Sequence, residues 1–214
     1  MAKSPVEVRY DKLGPKVVKA LQARRFDAWY VENPEEGVEK ALSLIPKTDV
    51  VSWGGAVTAD NLGLMQKVYD GGYKVIDRDK APTPAERIER MRQALHCDTF
   101  LMGSNAISED GQLVNIDGFG NRVAAMIFGP RQVIVIAGMN KVVKSLEDAY
   151  RRARTIAAPL NMQRFTGKKT PCSETGACGD CIAPDCICTY IVTTRVSNPA
   201  GRIKVILIGQ NLGL

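Results

Sequence analysis

Residues 131–138 read "RQVIVIAG", and this stretch decides the fold. The five residues from Val133 to Ala137 are all apolar, so an extended chain here presents apolar side chains to both faces of a sheet. Such a strand is typical of a parallel sheet that is covered on both sides. The stretch therefore predicts a central strand with helices packed on either face.

Strands and helices alternate on the N-terminal side of this stretch. Four further short apolar runs predict strands, namely "FDAWYV" (26–31), "DVVSWGG" (49–55), "YKVIDR" (73–78) and "DTFLMG" (98–103). Between them lie segments with helical spacing, two of which begin with a cap and a proline, at Asn33-Pro34 and Thr83-Pro84. Regular alternation predicts an α/β fold with a mostly parallel sheet and helices on both faces.

The remaining segments complete the predicted organisation. A first helix is expected from about Asp11 to Arg25, and the helical spacing of Leu62, Met65, Val68 and Tyr69 predicts another that ends at the glycine pair 71–72. Residues 105–116, "NAISEDGQLVNI", predict a hairpin. Residues 145–158 predict a helix, and the runs 188–196 and 202–209 predict closing strands. We expect residues 1–36 to form an N-terminal helix-and-strand extension and residues 37–214 to form the main α/β domain, with a cysteine-rich loop at 172–188.

Composition limits the classes of function. The 29 basic and 23 acidic side chains give a net charge of +6. Because they are spread along the chain, with few aromatic residues and no nucleic-acid motif, they predict affinity for small anions rather than for nucleic acid. The N-terminal segment lacks an apolar signal and no apolar run is long enough to span a bilayer, so we expect a cytoplasmic protein without a membrane segment. His96 is the single histidine, which disfavours histidine-based catalysis.

Candidate ligand-binding residues follow three predicted strands, where open parallel sheets bind their ligands. The segment "SWGGAVTADN" (52–61) has two glycines that let a ligand approach the backbone, although the same pair also suits a tight turn without a ligand. The segments 103–115 and 118–122 add polar side chains that alternatively serve only as turn formers. The candidate ligand-binding residues are Gly54, Gly55, Thr58, Gly103, Asn105, Asp110, Gly111, Asn121 and Arg122. Asp110, Asn115 and Lys141 are the candidates for catalysis, with an exposed lysine as the alternative for Lys141.

Residues 172–188, "CSETGACGDCIAPDCIC", hold five of the six cysteines. A disulfide framework does not suit a cytoplasmic protein. Simple burial of thiols does not suit a segment rich in Gly, Pro and Asp. Cys178 and Cys181 form a CxxC pair, which lets two thiolates reach one ion from a single turn. The loop therefore predicts a metal site, and spacing alone leaves zinc and an iron–sulfur cluster equally open.

Residues 103–143, "GSNAISEDGQLVNIDGFGNRVAAMIFGPRQVIVIAGMNKVV", resemble the LUD domain of the lactate-utilisation proteins, and the tail from Pro171 resembles the cysteine-bearing branch of that family. The resemblance implies a fold similar to the group of ribose-5-phosphate isomerase, glucosamine-phosphate deaminase and CoA-transferase. It implies small anionic ligands such as a carboxylate, a phosphosugar or a CoA ester, and redox protein partners. It also implies a metal set of Cys172, Cys178, Cys181 and Cys188, with Cys186 as a spare thiol. No residue matches the catalytic glutamate or cysteine of that wider group.

Three functional hypotheses remain open. The first is a redox-associated protein of lactate or organic-acid utilisation, with an anion at the glycine-rich strand ends and a metal centre at the cysteines. The second is a sugar-phosphate or CoA-ester enzyme in which zinc is only a structural clip. The third is a non-enzymatic sensor or assembly subunit. A homodimer is expected because sheets of this kind often pair.

Overall fold

The protein contains a six-stranded parallel sheet, as a computed structural model that describes residues 3–214 shows. Its strands stand in the order β1-β10-β7-β4-β2-β3, so the strand at 132–138 lies inside the sheet. The strands are β1 (Asp27–Val31), β2 (Val50–Trp53), β3 (Lys74–Ile76), β4 (Thr99–Met102), β5 (Ala106–Ser108), β6 (Leu113–Asp117), β7 (Gln132–Gly138), β8 (Val142–Val143), β9 (Tyr190–Thr194) and β10 (Ile203–Ile208).

Alternate residues of β7 enter two separate hydrophobic cores. Val133 and Val135 point into one core, whereas Ile134 and Ile136 point into the other, and all four are buried. A strand can be apolar on successive residues only where both of its faces are covered. The predicted α/β fold with a mostly parallel sheet is therefore confirmed.

Helices cover both faces of this sheet. The helices are α1 (Pro5–Ala23), α2 (Pro34–Ser43), α3 (Val57–Asn61), α4 (Leu64–Asp70), α5 (Pro84–Gln93), α6 (Asn121–Ile127), α7 (Leu146–Arg152), α8 (Ala158–Met162) and α9 (Pro171–Thr175). Helix α1 contributes Val17 and Leu21 to the first core, while α2 and α4 contribute to the second.

Two predicted helices differ from the structure. Helix α1 begins six residues before the predicted Asp11, because Ser4 and Glu7 form a capping box. The side chain of Ser4 accepts from the backbone amide of Glu7, and the side chain of Glu7 accepts from the backbone amide of Ser4. The helix expected before residues 71–72 is split into α3 and α4 by Gly63, whose φ of 69° breaks the helical path.

The N-terminal segment contributes an edge strand to the main sheet. Strand β1 pairs in parallel with β10, from Asp27 opposite Lys204 to Val31 opposite Ile208. Residues 1 and 2 of the predicted extension lie outside the described residues. The division of the chain at residue 36 stays a prediction.

A second sheet of four strands, β8-β5-β6-β9, packs beside the first. Strands β5 and β6 form the predicted hairpin, in which Ala106 lies opposite Val114 and Ile107 opposite Leu113. The two closing strands separate: β9 joins β6 in this smaller sheet, whereas β10 inserts between β1 and β7 in the larger one.

The carboxyl ends of β2, β4 and β7 meet at one edge of the main sheet, because these three strands are parallel and β4 pairs with the other two. Gly54 follows β2, Gly103 follows β4, and Lys141 follows β7 within a short 3-10 turn (Met139–Lys141). This edge is where an open parallel sheet offers a ligand site. In the stretch 3–214, none of the helices combines the length and apolar character that a membrane crossing requires.

Candidate functional site

A cavity of about 430 Å³ opens at this edge of the sheet. The smaller sheet, α6 and the cysteine loop contribute to its walls beside the strand ends. Six of the predicted site residues line it, namely Gly55, Gly103, Asn105, Asn121, Arg122 and Lys141. The strand ends and the hairpin segment thus converge on a single concave site.

The lining of this cavity is strongly basic. Six cationic side chains contribute to it: Arg78, Arg87, Arg122, Lys141, Arg164 and Lys168. Within residues 3–214, Asp117 is the single acidic side chain in the lining, and its carboxylate already has partners. Its oxygens accept from the backbone amides of Gly120 and Val123 and lie 3.5 Å from Arg122 Nε. The excess of positive charge favours an anion.

Arg122 is the centre of a buried hydrogen-bond network beneath the cavity. Its Nη1 donates to the carbonyl of Gly103 at 3.1 Å and to Asn115 Oδ1 at 2.8 Å. Its Nη2 donates to Asn105 Oδ1 at 2.9 Å and to the carbonyl of Ile116 at 2.6 Å. One guanidinium thereby ties the end of β4 to β6, so the position of Asn105 and Gly103 depends on it.

The glycine pair after β2 makes room for this arginine. A β-carbon on Gly55 would lie 2.7 Å from Arg122 Cδ and 2.9 Å from Nε, and Gly55 has a φ of 55°. A β-carbon on Gly54 would lie 3.0 Å from Phe100 Cζ. The pair therefore has a packing role, and Gly55 also forms part of the cavity lining.

Arg78 carries an unsatisfied donor at the cavity. Its Nε is buried and has no hydrogen-bond partner among residues 3–214, with Asp79 Oδ1 3.7 Å away. Burial lowers the pKa of Arg78, which shows that its charge is poorly solvated. A half-buried guanidinium whose buried Nε lacks a partner is stabilised by an anion that reaches it.

Lys141 is also buried, with 4% of its surface exposed. Its Nζ donates to Thr58 Oγ1 at 3.0 Å, and Thr58 is itself buried beside the site rather than in its lining. Burial, reinforced by the charges of Arg152 and Arg122, lowers the pKa of Lys141 to about 7. The exposed-lysine alternative is therefore wrong.

The free energy of unfolding should rise between about pH 7 and pH 9 because of Lys141. Its folded pKa of about 7 lies below the unfolded value near 10.5, so the unfolded state binds more protons in this window and stability increases with pH. We expect a gain of roughly 2 kcal/mol, absent from Lys141→Met. The window ends near pH 9 because burial raises the pKa of Cys97 and of Cys188 to about 12, so above that point the two thiols together outweigh the lysine and stability falls with pH.

Urea unfolding across this pH range measures the effect. Lys144→Met is the matched control, because Lys144 is exposed and ion-paired with Glu109 and should leave the pH dependence unchanged. If the free energy of unfolding of Lys141→Met rises with pH as steeply as that of the parent, the assignment of this pH dependence to Lys141 is contradicted.

Five of the predicted ligand-binding and catalytic residues lie outside the cavity lining, namely Gly54, Thr58, Asp110, Gly111 and Asn115. Asp110 and Gly111 form the hairpin turn at α1, where Asp110 Oδ2 accepts from Arg24 Nη2 at 2.6 Å and a β-carbon on Gly111 would lie 2.7 Å from the backbone of Ala20. The sequence placed Asp110 beside the other polar residues of the segment, and this is wrong because the hairpin extends its turn away from the strand ends. Asn115 is buried beneath the site, where it accepts from Arg122.

Sequence reasoning missed several residues of the site. Arg78 follows β3 and could have been found by the strand-end rule that found Lys141. Arg87, Arg164 and Lys168 carried no such signal, since their segments read as an exposed helix face and a polar stretch. Arg152 carried no signal of its position either, yet it is buried and donates to the carbonyls of Asn140 and Asn105 at 3.1 and 2.5 Å.

The cysteine loop forms part of the cavity wall through Pro184, Cys186 and Ile187, and Thr189 follows directly after the loop in the same wall. Cys172 is buried, and α9 begins next to it with a capping box at Thr170. The backbone amide of Cys188 donates to Cys186 Sγ at 3.4 Å. Burial and then the neighbouring thiols of Cys186, Cys178 and Cys172 raise the pKa of Cys188 to about 12.

These thiols are close enough to influence one another, and soft sulfur donors without histidine suit zinc or an iron–sulfur cluster. No group of three or more His, Cys, Asp or Glu side chains within residues 3–214 is arranged as a metal-ligand set. The donor chemistry fits, whereas the arrangement of the side chains is not that of a formed site. The assignment of Cys172, Cys178, Cys181 and Cys188 as ligands, with Cys186 spare, stays a prediction.

The comparisons with known proteins place the chain in a family. The model of the LUD domain matches residues 14–208. The structure is similar to that of a DUF162 family protein from Deinococcus radiodurans, with 15% sequence identity, a TM-score of 0.53, and coverage of 93% of this chain and 98% of that chain.

Two enzymes are matched more weakly. Ribose 5-phosphate isomerase from Plasmodium falciparum has 12% identity and a TM-score of 0.32, with 52% of each chain covered. The 5-methylthioribose 1-phosphate isomerase from Pyrococcus horikoshii OT3 has 15% identity and a TM-score of 0.34, with 86% of this chain and 53% of that chain covered. No curated protein matches the sequence significantly. Because the family model spans most of the chain, the resemblance found in the sequence is confirmed, and the protein belongs to the LUD domain family.

Proposed function

We propose that this LUD-domain protein binds a small organic anion in the basic cavity and holds a metal centre in the adjoining cysteine loop, in the service of organic-acid oxidation. The observation that carries the proposal is the charge of the lining, where six cationic side chains face one acidic side chain that is already bonded. An anion would supply the missing partner of Arg78 Nε.

The size and apolar part of the cavity support an organic ligand over a bare inorganic ion. A volume of about 430 Å³ falls within the range of small-molecule sites. Met91, Ile116, Phe119 and Phe165 contribute apolar lining beside the cations. Such a mixture suits a carbon skeleton that ends in a carboxylate or a phosphate.

The cysteine loop supports the second half of the proposal by its position. Cys186 and Ile187 belong to the cavity wall, so a metal held by the neighbouring thiolates would lie close to the bound anion. An iron–sulfur cluster there would supply one-electron transfer, whereas zinc would act as a structural clip. The proposal also includes redox protein partners, which the resemblance implies. It includes a homodimer because two-fold dimers are the commonest soluble oligomers.

Replacing Arg78 with methionine should weaken anion binding without lowering stability. The substitution removes a poorly solvated charge whose Nε has no partner in the part of the chain described, so the free energy of unfolding should stay within about 1 kcal/mol of the parent value. The loss of one charge-assisted contact should raise the Kd about tenfold or more. Calorimetric titration with 2-hydroxy and 2-oxo carboxylates, pentose and hexose phosphates and acetyl-CoA measures binding.

Arg92→Met is the matched control, because Arg92 lies on the exposed side of α5, ion-paired with Glu89 and outside the cavity lining. It should keep the parent affinity. Equal loss of affinity in both variants would indicate a general charge effect. A parent protein that binds none of these ligands, and gains no thermal stability from any, would contradict the proposal.

Protein purified without oxygen should contain metal at the cysteine loop. If the resemblance assigns the ligands correctly, Cys188→Ser loses the metal and Cys186→Ser, two residues away, retains it. Iron, zinc and acid-labile sulfide are counted together. One zinc without sulfide would contradict the redox part of the proposal. A metal-free protein with intact thiols would contradict the proposed metal centre.

A second candidate function is an enzyme that acts on a phosphorylated sugar or CoA ester, with zinc as a clip. The buried Lys141 favours it, because a lysine with a pKa near 7 can act as a base or nucleophile at neutral pH. Turnover of a bound phosphosugar or acyl-CoA by protein that contains zinc alone would identify this function. The sensor hypothesis would require binding without turnover of any of these ligands.

A further inference from the structure

Lys141 belongs to the lining of the cavity, and the charged groups that act most on its amine are both cationic. Its side-chain hydrogen bond goes to the hydroxyl of Thr58, which is uncharged. A β-carbon on Gly103 would lie 3.8 Å from Nζ, and one on Gly213 would lie 3.1 Å from it, so the amine is bordered by bare backbone. Neither of these neighbours neutralises an ammonium ion.

Two arginines approach the same amine from different elements. Arg122 comes from α6 and Arg152 from α7, and the charges of both act on Lys141. Arg152 is fixed by its bonds to the carbonyls of Asn140 and Asn105. Asp117, the acidic residue of the lining, is bonded to Arg122 and to two backbone amides. Because guanidinium groups keep their protons, the lysine is the group of this trio that gives one up.

This environment suits a reactive amine better than a structural one. A lysine that serves only to fill space is usually extended to the surface, and one that serves only as a fixed charge is paired with a carboxylate. Lys141 has neither arrangement. A neutral amine in a cavity that attracts anions is a nucleophile for an electrophilic carbon carried by the anion.

We propose that Lys141 is a catalytic residue whose amine condenses with the carbonyl of an aldehyde or ketone that also bears a phosphate or carboxylate. The nitrogen lone pair of the neutral amine forms the C–N bond, the nitrogen gives up its two protons in turn, and the carbonyl oxygen takes up two protons and leaves as water, which gives an imine. This inference rests on the proposed anion site, where Arg78 and Arg87 would hold the charged end of the ligand. It names the substrate class as carbonyl-bearing anions.

Pyridoxal 5′-phosphate, an aldehyde with a phosphate group, is a suitable probe, and borohydride supplies the hydride that converts the imine to a stable amine. We expect the added mass in the peptide that contains Lys141, with labelling about tenfold faster than for pyridoxal, which lacks the phosphate. Excess pyrophosphate should protect Lys141. Lys141→Gln should lose the label, and Lys144→Gln, a change of an exposed lysine outside the cavity lining, should retain it.

Peptide mapping of the labelled parent protein shows whether Lys141 is modified, even if Lys141→Gln does not fold. Labels on exposed lysines with Lys141 unmodified would overturn the inference, as would equal rates for pyridoxal and its phosphate. Calorimetry with pyrophosphate separates the two proposals. If pyrophosphate binds but Lys141 is not labelled, only the proposed imine is contradicted. If the protein binds neither probe, the proposed anion site is contradicted as well.

Discussion

Replacing Arg122 with methionine should lower the free energy of unfolding by about 3–5 kcal/mol, because the change breaks a buried ion pair and leaves its partners unsatisfied. Asp117 would lose its cation, Asn115 and the carbonyl of Gly103 would lose the donor that Arg122 supplies, and Asn105 Oδ1 would keep only the backbone amide of Ile116. Anion binding should be lost too, since Asn105 and Gly103 border the cavity. Urea unfolding gives the stability and calorimetry the affinity.

Arg131→Met is the control for the removal of one arginine charge. Its side chain is 86% exposed and pairs with Asp98 at the surface, so the expected cost is below about 1 kcal/mol. Similar losses for Arg122→Met and Arg131→Met would contradict the role of the buried network. Arg122→Lys should also be destabilised, because a lysine cannot reproduce the forked contacts to Asn105 and Asn115.

Replacing Gly55 with alanine should lower the free energy of unfolding by about 3 kcal/mol, from left-handed backbone strain and overpacking together. Gly55 has a φ of 55°, and the new methyl group would lie 2.7 Å from Arg122 Cδ. Relief of that contact requires the arginine to move, so anion affinity should fall together with stability.

Gly63→Ala separates these two causes. Gly63 has a φ of 69°, and a methyl group added there would have no neighbouring atom within 4 Å, so this variant carries the backbone strain without the contact, at an expected cost of about 1 kcal/mol. Equal melting temperatures for Gly55→Ala and Gly63→Ala would show that the approach to Arg122 does not matter. The glycine pair after β2 would then be a turn of no special importance.

The sequence predicted the parts of the fold that depend on local chemistry. The continuous apolar run in β7 requires cover on both faces, and Asn33 and Thr83 fix the starts of α2 and α5 through their side-chain bonds. The hairpin of β5 and β6 followed from Asp110-Gly111. The position of β10 between β1 and β7 could not be predicted, because strand order depends on long-range packing.

The site was predicted where backbone order determines it. Gly55, Gly103 and Lys141 follow parallel strands, so their convergence follows from the sheet alone. Charged residues on helices and in loops carry no comparable signal, since exposed and buried arginines read alike in a sequence. The burial of Arg152 is therefore a finding of the structure, and so is the unpartnered Nε of Arg78 within residues 3–214, although the place of Arg78 after β3 could have indicated the residue.

The place of β10 in the main sheet has a consequence for biosynthesis. Strand β1 is made early by the ribosome, yet it pairs with residues 203–208, which emerge far later in translation. Until then one edge of β7 stays open, and open edges invite association between nascent chains. Slow elongation between β1 and β10, or a shortage of chaperones, should therefore reduce the yield of native protein more than its equilibrium stability would suggest.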